Sequence, residues 1–263
     1  TLEPRVFYLW TRFEDQDDAP VFDSSELDFS FASLFRGNRF TGRDRIGDAN
    51  QLTLGLTSRS LALDSGYELL RASVGQILYF RDRDVQISGP PEDSDKSPVA
   101  AEVAARLTRY WSGRANLEWD PNLDQARTRK KGFELHYQTP DNKLLNLAYR
   151  FNLDDQDRDI DDPSSTSFED TDVSIRWPIS PHVELVGRWY YSLLYHETFE
   201  AFAGLEYGQC CWRVRTVARS FKNKPGEELN TTIMVQLELA GLGTVGHKVD
   251  KFLERSVFGY HAD

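Results

Sequence analysis

The sequence predicts an all-β protein, an antiparallel up-and-down transmembrane β-barrel, on three observations. Apolar and polar residues alternate with period two over about twelve segments, each near the ~9–11 residues that a tilted strand needs to cross a bilayer. Short and long links alternate between these segments, as turns and loops do on opposite sides of such a barrel. Aromatic residues make up 13% of the chain, with six Trp and eleven Tyr, and such residues concentrate at membrane interfaces.

Each alternating segment places apolar residues on one face and polar residues on the other. Within 183–193, for example, Val183 and Leu185 alternate with Glu184. The same pattern occurs at 52–57, 99–107, 133–138, 145–153, 173–177, 199–207, 212–219 and 233–239. Only alternate residues of such a strand face lipid. A membrane barrel is therefore compatible with 28% charged residues and a mean hydropathy of −0.55.

The links between segments predict the topology. Short links occur at 63–66, 111–113, 139–142, 178–181 and 208–209. Longer, polar links occur at 14–48, 82–98, 120–128, 154–171, 194–198 and 222–229. We expect the short links and both chain ends on the periplasmic side, strands and loops over 1–243, and a C-terminal periplasmic tail over 244–263. A further short strand within 14–48 stays open.

Composition and motifs argue against several other classes of function. A net charge of −11 and a pI near 5.0 argue against nucleic acid as a partner. No apolar run approaches the ~18 residues of a membrane helix, and no glycine loop for a nucleotide cofactor occurs. The five histidines lie in no recognisable nucleophile motif, so neither catalysis nor a metal site is predicted. They are His136, His182, His196, His247 and His261.

Specific strings carry a family resemblance. They are Thr-Leu-Glu-Pro-Arg (1–5), Arg-Asp-Arg-Ile-Gly-Asp-Ala-Asn-Gln-Leu (43–52), Ser-Val-Gly-Gln-Ile-Leu-Tyr-Phe (73–80), Cys-Cys-Trp-Arg-Val-Arg (210–215) and Val-Gln-Leu-Glu-Leu-Ala-Gly-Leu-Gly (235–243). In this order, nearly end to end, the chain resembles the LptD family of lipopolysaccharide (LPS) assembly proteins of the Gram-negative outer membrane. The 43–52 string and the Cys-Cys pair are its most distinctive parts.

The resemblance implies the C-terminal half of a larger barrel that inserts LPS into the outer leaflet through a lateral gate between its first and last strands. It also implies an LptE-like plug lipoprotein inside the barrel and a periplasmic jelly-roll. The jelly-roll and the first barrel half are expected to be missing here. During assembly, the outer-membrane insertion machinery would be a further partner.

Two groups of site residues follow from the resemblance. Cys210 and Cys211 are adjacent and cannot form an unstrained disulfide with each other. The family implies disulfides from both to cysteines near the N-terminus of the whole protein, the alternative being two unpaired thiols. The last strand, expected over Thr231–Leu242, is one lip of the gate by resemblance and otherwise an ordinary edge. Its named residues are Ile233, Val235, Leu237, Leu239, Gly241 and Gly243.

Inward-facing arginines form a third group, because guanidinium groups suit the phosphates of LPS. They are Arg150, Arg176, Arg188, Arg213, Arg215 and Arg219. They would contact LPS or the plug, and the alternative is a hydrated, ion-paired lumen. The acidic run 154–172 could bind Ca²⁺, but its spacing favours a solvated loop.

Two other functions stay open from the residues alone. A small complete barrel would act as a porin-like diffusion channel and conduct ions steadily. A barrel fragment captured as an assembly intermediate would instead co-purify with the insertion machinery. Export through a gate is the interpretation that the resemblance favours.

Overall fold

The computed structural model describes residues 1–121, 127–153 and 166–262. The chain divides into two compact units. The first comprises residues 1–105 and 114–131, and the second comprises residues 106–113 and 132–263. Each unit has its own cluster of buried hydrophobic residues.

Over the described residues the structure contains thirteen strands, one 3-10 turn and one α-helix. The strands are β1 (Leu2–Thr11), β2 (Ala49–Leu61), β3 (Glu68–Tyr79), β4 (Val99–Arg106), β5 (Trp111–Asp120), β6 (Arg127–Gln138), β7 (Leu144–Asn152), β8 (Phe168–Ser180), β9 (Val183–Ser192), β10 (Glu197–Gln209), β11 (Trp212–Phe221), β12 (Asn230–Leu239) and β13 (Gly243–Gly246). The 3-10 turn is Ser33–Phe35 and helix α1 is Val249–Ser256. The prediction of about twelve long strands corresponds to β1–β12, and β13 is a short addition.

Neighbouring strands pair in chain order and run antiparallel in both units. In the first unit β1 pairs with β2, β2 with β3 and β3 with β4. In the second unit the same order continues without interruption from β7 to β13. The prediction of an all-β, up-and-down antiparallel fold is confirmed. No helix in the described part of the chain has the length and apolar character needed to cross a membrane.

The strands of the second unit have two different faces. Trp189, Leu205 and Ile233 lie on one of them and are 48%, 50% and 64% exposed. Val186 and Arg215, on the other, are fully buried. The two faces are hereafter the apolar face and the polar face. Because side chains alternate along a strand, the period-two pattern of the sequence produces this division directly.

Among the links that the structure describes in full, lengths follow the predicted alternation with one exception. The links at 62–67, 107–110, 139–143, 181–182, 210–211 and 240–242 are short, and those at 12–48, 80–98 and 222–229 are long. The link between β9 and β10, predicted to be long, has only residues 193–196. There His196 adopts a φ of 54°, which lets the chain reverse within four residues.

In the first unit the long segment 12–48 packs back onto the sheet. It contains one isolated bridge, Glu26 with Phe40, and the 3-10 turn, so the additional strand left open for this segment is absent from these fully described residues. Leu34 of the turn is buried with Ile77 and Ala100. The cross-strand pair Gly55 and Gly75 leaves room for it, because a Cβ at Gly75 would lie 2.9 Å from Leu34 Cδ1.

The Asp-Arg-Ile-Gly-Asp string (44–48) joins the end of this segment to the link 80–98. The Asp48 carboxylate is buried and accepts hydrogen bonds from the backbone N–H groups of Val85 (3.0 Å) and Asp84 (3.2 Å). Arg39 Nη2 donates to it at 3.3 Å. Burial alone raises the pKa of Asp48, but these donors and the Arg39 charge outweigh it, so the pKa is lowered. A distinctive string of the sequence therefore has a structural role here.

Candidate functional site: the polar face and the last strand

Paired charges cover the polar face of β8 to β11. Arg188 Nε donates to Asp172 Oδ1 at 2.9 Å, and its Nη1 donates to Glu200 Oε2 at 2.7 Å. The other Glu200 oxygen accepts from Arg219 Nε at 2.5 Å. Strand register places Arg188 and Arg219 on either side of Phe202, and each reaches diagonally to Glu200, two residues before Phe202 on β10. The result is a row of alternating charges across four strands.

Arg215 is the most deeply buried charge on this face. Its side chain is fully buried, with Nε donating to Glu206 Oε2 at 3.0 Å and Nη1 to Glu238 Oε2 at 2.6 Å. Tyr260 donates its hydroxyl proton to Glu206 Oε1 at 2.8 Å. A buried charge is tolerated only when it is paired and hydrogen-bonded. Glu206 and Glu238 pair the Arg215 charge through Nε and Nη1, while its Nη2 has no hydrogen-bond partner among the described residues.

Two of the remaining predicted arginines are paired as well. Arg176 Nε donates to Glu184 at 2.6 Å and Arg150 Nε to Asp170 at 3.0 Å. Arg213 differs, because it forms no ion pair with the described carboxylates, and its buried Nη1 has no hydrogen-bond partner among the described residues. The ion-paired alternative therefore describes five of the six arginines. Contact of any of them with LPS or a plug stays a prediction.

The C-terminal segment packs against the polar face. Val249, Leu253 and Val257 are fully buried. They form one cluster with Leu144, Val186, Phe202 and Val217, all of them on the polar face. The ring of Phe252 meets that of Phe202 edge-on at 4.9 Å. Helix α1 thus packs on a patch of apolar side chains within an otherwise charged face.

Polar contacts fix the segment on both sides of this cluster. The backbone N–H of Asp250 donates to Gln236 Oε1 at 2.8 Å. Asn146 Nδ2 donates to the carbonyl of Phe258 at 3.0 Å, and Arg176 Nη1 to that of His261 at 3.0 Å. His136 stacks on Phe258, with ring centroids 4.5 Å apart. The sequence analysis missed this packing, although the spacing of residues 249, 253, 257 and 260 was a usable helical signal.

Tyr260 links the C-terminal segment to the buried charges. Burial raises the pKa of the Tyr260 hydroxyl, and the Glu206 carboxylate beside it raises that pKa further. The neutral phenol can donate to Glu206, whereas a phenolate would repel it. The contact between Tyr260 and Glu206 therefore requires protonated Tyr260.

The last long strand is shorter than the sequence predicted. β12 ends at Leu239 rather than Leu242, because residues 240–242 form a tight turn. Gly241 and Gly243 adopt φ values of 77° and 127°, a region that L side chains rarely occupy. Both glycines therefore serve the turn and its exit. Ile233 and Val235 lie on the apolar face, 64% and 45% exposed.

β13 covers part of the outer edge of β12. Its four residues pair with Gln236, Leu237, Glu238 and Leu239, and the N–H of His247 donates to the carbonyl of Val235 at 2.9 Å. No strand of the described chain other than β11 pairs with residues 230–234. Half of the edge is thus covered by the chain itself, and half is available to another strand.

Cys210 and Cys211 form the two-residue turn between β10 and β11. Both are exposed free thiols. A hydrogen bond donated by the Cys210 thiol to the sulfur of Cys211, with a smaller contribution from desolvation, raises the pKa of Cys210. The turn presents both sulfurs to the outside of the described chain, where a partner thiol could reach them.

The acidic run lies largely outside the described residues. Its positions 154–162 are not described, so the solvated-loop interpretation stays a prediction there. Asp170 and Asp172, from the same run, belong to β8 and accept hydrogen bonds from Arg150 and Arg188. These two carboxylates balance arginines on the polar face.

These features define a class: a segment of an outer-membrane-type barrel with an apolar face, a charged face and a partly open last strand. The family model described as "LptD: LPS transport system D" matches residues 1–183. The chain belongs to the LptD family.

Several curated relatives, all named LPS-assembly protein LptD, are similar over 99% of this chain. The relative from Nitrosococcus oceani is 48% identical, with 34% of its own length covered. Those from Ectopseudomonas mendocina and Pseudomonas aeruginosa (strain UCBPP-PA14) are 40% and 38% identical, with 32% and 31% covered. The chain spans about a third of the length of the curated relatives it matches.

Proposed function

We propose that this chain is the C-terminal part of an outer-membrane barrel that inserts lipopolysaccharide into the outer leaflet through a gate beside β12. The observation that carries the proposal is the partly open edge of the last long strand, in a chain whose relatives are named LPS-assembly proteins. The role is transport rather than catalysis. An LptE-like plug lipoprotein and the rest of the barrel are the proposed partners.

The two faces of the sheet suit this role. The apolar face would contact lipid, and the polar face would line a hydrated lumen through which the LPS head group passes. Five of the six arginines are balanced by carboxylates. The lumen wall would therefore present ion pairs rather than unpaired arginines that bind phosphate tightly. Paired charges favour passage over tight binding, since a bound phosphate would have to displace a carboxylate.

The gate is proposed at residues 230–234, where β13 leaves the edge of β12 uncovered. Unpaired backbone groups in hydrocarbon cost several kcal/mol each, so this short edge would pair weakly with the first strand of the whole barrel and separate transiently. β13, held by the packing of α1, would keep the other half of the seam closed. The opening would then lie at the end of β12 that begins after the long link 222–229.

Photocrosslinking to LPS in living cells tests the gate. A photoreactive residue at Ile233 of the full-length protein is expected to form LPS adducts, with the same probe at Leu205 as the matched control. Leu205 also lies on the apolar face, is 50% exposed, and belongs to β10, which is paired on both sides. Equal adduct yields at the two positions would contradict a gate at β12.

The remaining topology follows from the proposal. The short links and both chain ends would lie on the periplasmic side, where the oxidising environment allows Cys210 and Cys211 to form disulfides. Their partners would lie in the N-terminal part of the whole protein. The insertion machinery would engage the edge of β12 during assembly.

A further inference from the structure

A polar cavity lies in the first unit, between the sheet and the segment 12–48 that packs onto it. It has a volume of about 110 Å³. Leu9, Gln51 and Tyr79 of β1, β2 and β3 form its floor, and Arg36 of the segment belongs to its roof. A single water needs only ~10–15 Å³. The cavity therefore has room for several waters or for part of one sugar ring.

Two polar side chains at the centre of the floor lack a partner. Gln51 and Tyr79 lie directly opposite each other on neighbouring strands, so their side chains are close enough to contact one group together. Gln51 is only 8% exposed. Neither its amide nor the Tyr79 hydroxyl forms a hydrogen bond with any residue that the structure describes. Buried polar groups are ordinarily hydrogen-bonded, so both side chains indicate an occupant of the cavity.

Two ion pairs balance the arginines of the cavity wall. Arg39 Nη2 donates to Asp48 Oδ1 at 3.3 Å, and Arg83 Nε donates to Glu92 Oε2 at 2.7 Å. The Arg83 guanidinium also lies over the Tyr79 ring, 3.6 Å from its centroid. The floor therefore offers an uncharged amide and an uncharged phenol to an occupant. Such groups suit a neutral molecule that carries hydroxyl groups better than they suit a phosphate.

Two of the strings that carry the family resemblance meet at this floor. Gln51 belongs to the string at 43–52 and Tyr79 to the string at 73–80. The contacts of Asp48 account for one part of the first string. No hydrogen bond within the described chain accounts for the Gln51 amide or the Tyr79 hydroxyl, which leaves a ligand as the remaining role for these two groups.

We propose that this cavity binds the hydroxyl-bearing edge of one neutral sugar ring of LPS. An amide carries donors and an acceptor side by side, so Gln51 pairs with two neighbouring hydroxyl groups of the ring. The Tyr79 hydroxyl makes a third contact, and Arg36, exposed on the roof, meets the part of the sugar that stays outside. The inference rests on the proposed function, because it takes LPS as the source of the sugar. Its residues are other than those of the gate.

Saturation-transfer difference NMR with the full-length protein in detergent tests the site. The probe is the water-soluble core oligosaccharide that mild acid releases from LPS, which has no acyl chains to bind an apolar surface. We expect transfer of saturation to its ring protons. We also expect about tenfold weaker binding to the variant Gln51→Leu/Tyr79→Phe, the loss expected for two or more neutral hydrogen bonds.

A matched control removes the same two chemical groups elsewhere. The variant Gln209→Leu/Tyr195→Phe changes residues of the second unit and is expected to bind the oligosaccharide like the unmodified protein. Because Gln51 and Tyr79 form no side-chain hydrogen bond within the described chain, Gln51→Leu/Tyr79→Phe is expected to unfold at the same temperature as the unmodified protein. Tyr79→Phe alone, which removes one oxygen, serves if the double variant does not fold.

Four results would overturn the site. Absence of transfer in the unmodified protein would mean that the cavity holds only water. Equal binding by the two double variants would place the oligosaccharide elsewhere. Its displacement by inorganic phosphate would show that an anion is recognised, and an equal signal from maltotriose would remove the assignment to LPS.

The sugar site and the gate fail separately. LPS adducts at Ile233 without oligosaccharide binding would overturn the sugar site alone. Oligosaccharide binding that depends on Gln51 and Tyr79, without preferential adducts at Ile233, would overturn the gate alone.

Discussion

At the scale of single residues, burial decides how much each ion pair matters. Arg215 is fully buried between Glu206 and Glu238, whereas the side chain of Arg150 is 46% exposed beside Asp170. Removing one partner of a buried pair leaves an uncompensated charge and costs about 3–5 kcal/mol. An exposed pair contributes about 0–1 kcal/mol, because water screens it and long side chains lose entropy.

Arg215→Ala is therefore expected to destabilise the full-length protein far more than Arg150→Ala, by several kcal/mol against at most about one. The measurement is the temperature at which the folded, fast-migrating band is lost in unheated gel samples. Arg150→Ala controls for the loss of one arginine from the same face. Similar losses of stability in both variants would mean that water enters the Arg215 site and solvates the carboxylates left without a partner.

Tyr260 gives a prediction about alkaline pH. Its folded-state pKa is raised above the ordinary value near ~10. The hydroxyl therefore contributes stability that is complete below pH ~10 and is lost as pH rises through the folded-state pKa. Tyr260→Phe removes the hydrogen bond to Glu206 and is expected to cost about 1.5–3 kcal/mol near neutral pH, with the difference from the unmodified protein shrinking above pH ~10.

Thermal unfolding of both proteins between pH 7 and 11 measures that difference. Tyr195→Phe is the matched control, because its hydroxyl makes no hydrogen bond among the described residues. A gap between Tyr260→Phe and the unmodified protein that stays constant across this range would exclude the link between Tyr260 ionisation and stability.

At the scale of elements, period-two patterning was enough to predict the strands but not what packs onto them. β7, predicted at 145–153, lies at Leu144–Asn152, and β9, predicted at 183–193, lies at Val183–Ser192. Alternation identifies strands because each residue's face is a local property. The apolar patch on which α1 packs is formed by residues of four strands. These residues are far apart in sequence, so no local pattern predicts that they lie together. The end of β12 was predicted three residues too late for a related reason. The turn at 240–242 depends on the pairing of β12 with β13, which the local pattern does not show.

The position of the loop segment 12–48 was likewise not predictable from local patterns, because it depends on Gly55 and Gly75, which lie outside the segment in sequence. A Cβ at Gly75 would lie 2.9 Å from both Leu34 Cδ1 and the carbonyl oxygen of Leu54. Because backbone cannot yield easily, Gly75→Ala is expected to displace the 3-10 turn and to cost about 1–3 kcal/mol.

Limited proteolysis of the segment around Leu34 measures this displacement. Gly113→Ala is the control, since a Cβ there meets nothing closer than 3.5 Å. We expect faster cleavage within 12–48 for Gly75→Ala alone. Unchanged cleavage would show that the turn is held by its hydrogen bonds, such as Thr53 Oγ1 to the Leu34 carbonyl at 3.0 Å, rather than by the fit over glycine.

At the scale of the whole molecule, the chain carries two features that point beyond itself. One is the uncovered half of the β12 edge, and the other is the exposed pair of thiols at the turn between β10 and β11. An exposed edge is prone to unwanted pairing, and exposed thiols are prone to oxidation. Both features are understandable if the remaining two thirds of a full-length relative supply a strand and partner cysteines.

The thiols allow this interpretation to be tested without a structure of the whole protein. Adjacent cysteines cannot form an unstrained disulfide with each other, so any disulfides of Cys210 and Cys211 would be to distant cysteines. Changing both to Ser in the full-length protein is therefore expected to abolish the oxidised species on a non-reducing gel. Each single Ser variant keeps one thiol and is expected to keep one oxidised species, which controls for effects on the turn. If the double variant migrates as the unmodified protein does, the cysteines have no distant partner. The turn between β10 and β11 would then play no part in joining the barrel to the rest of the protein.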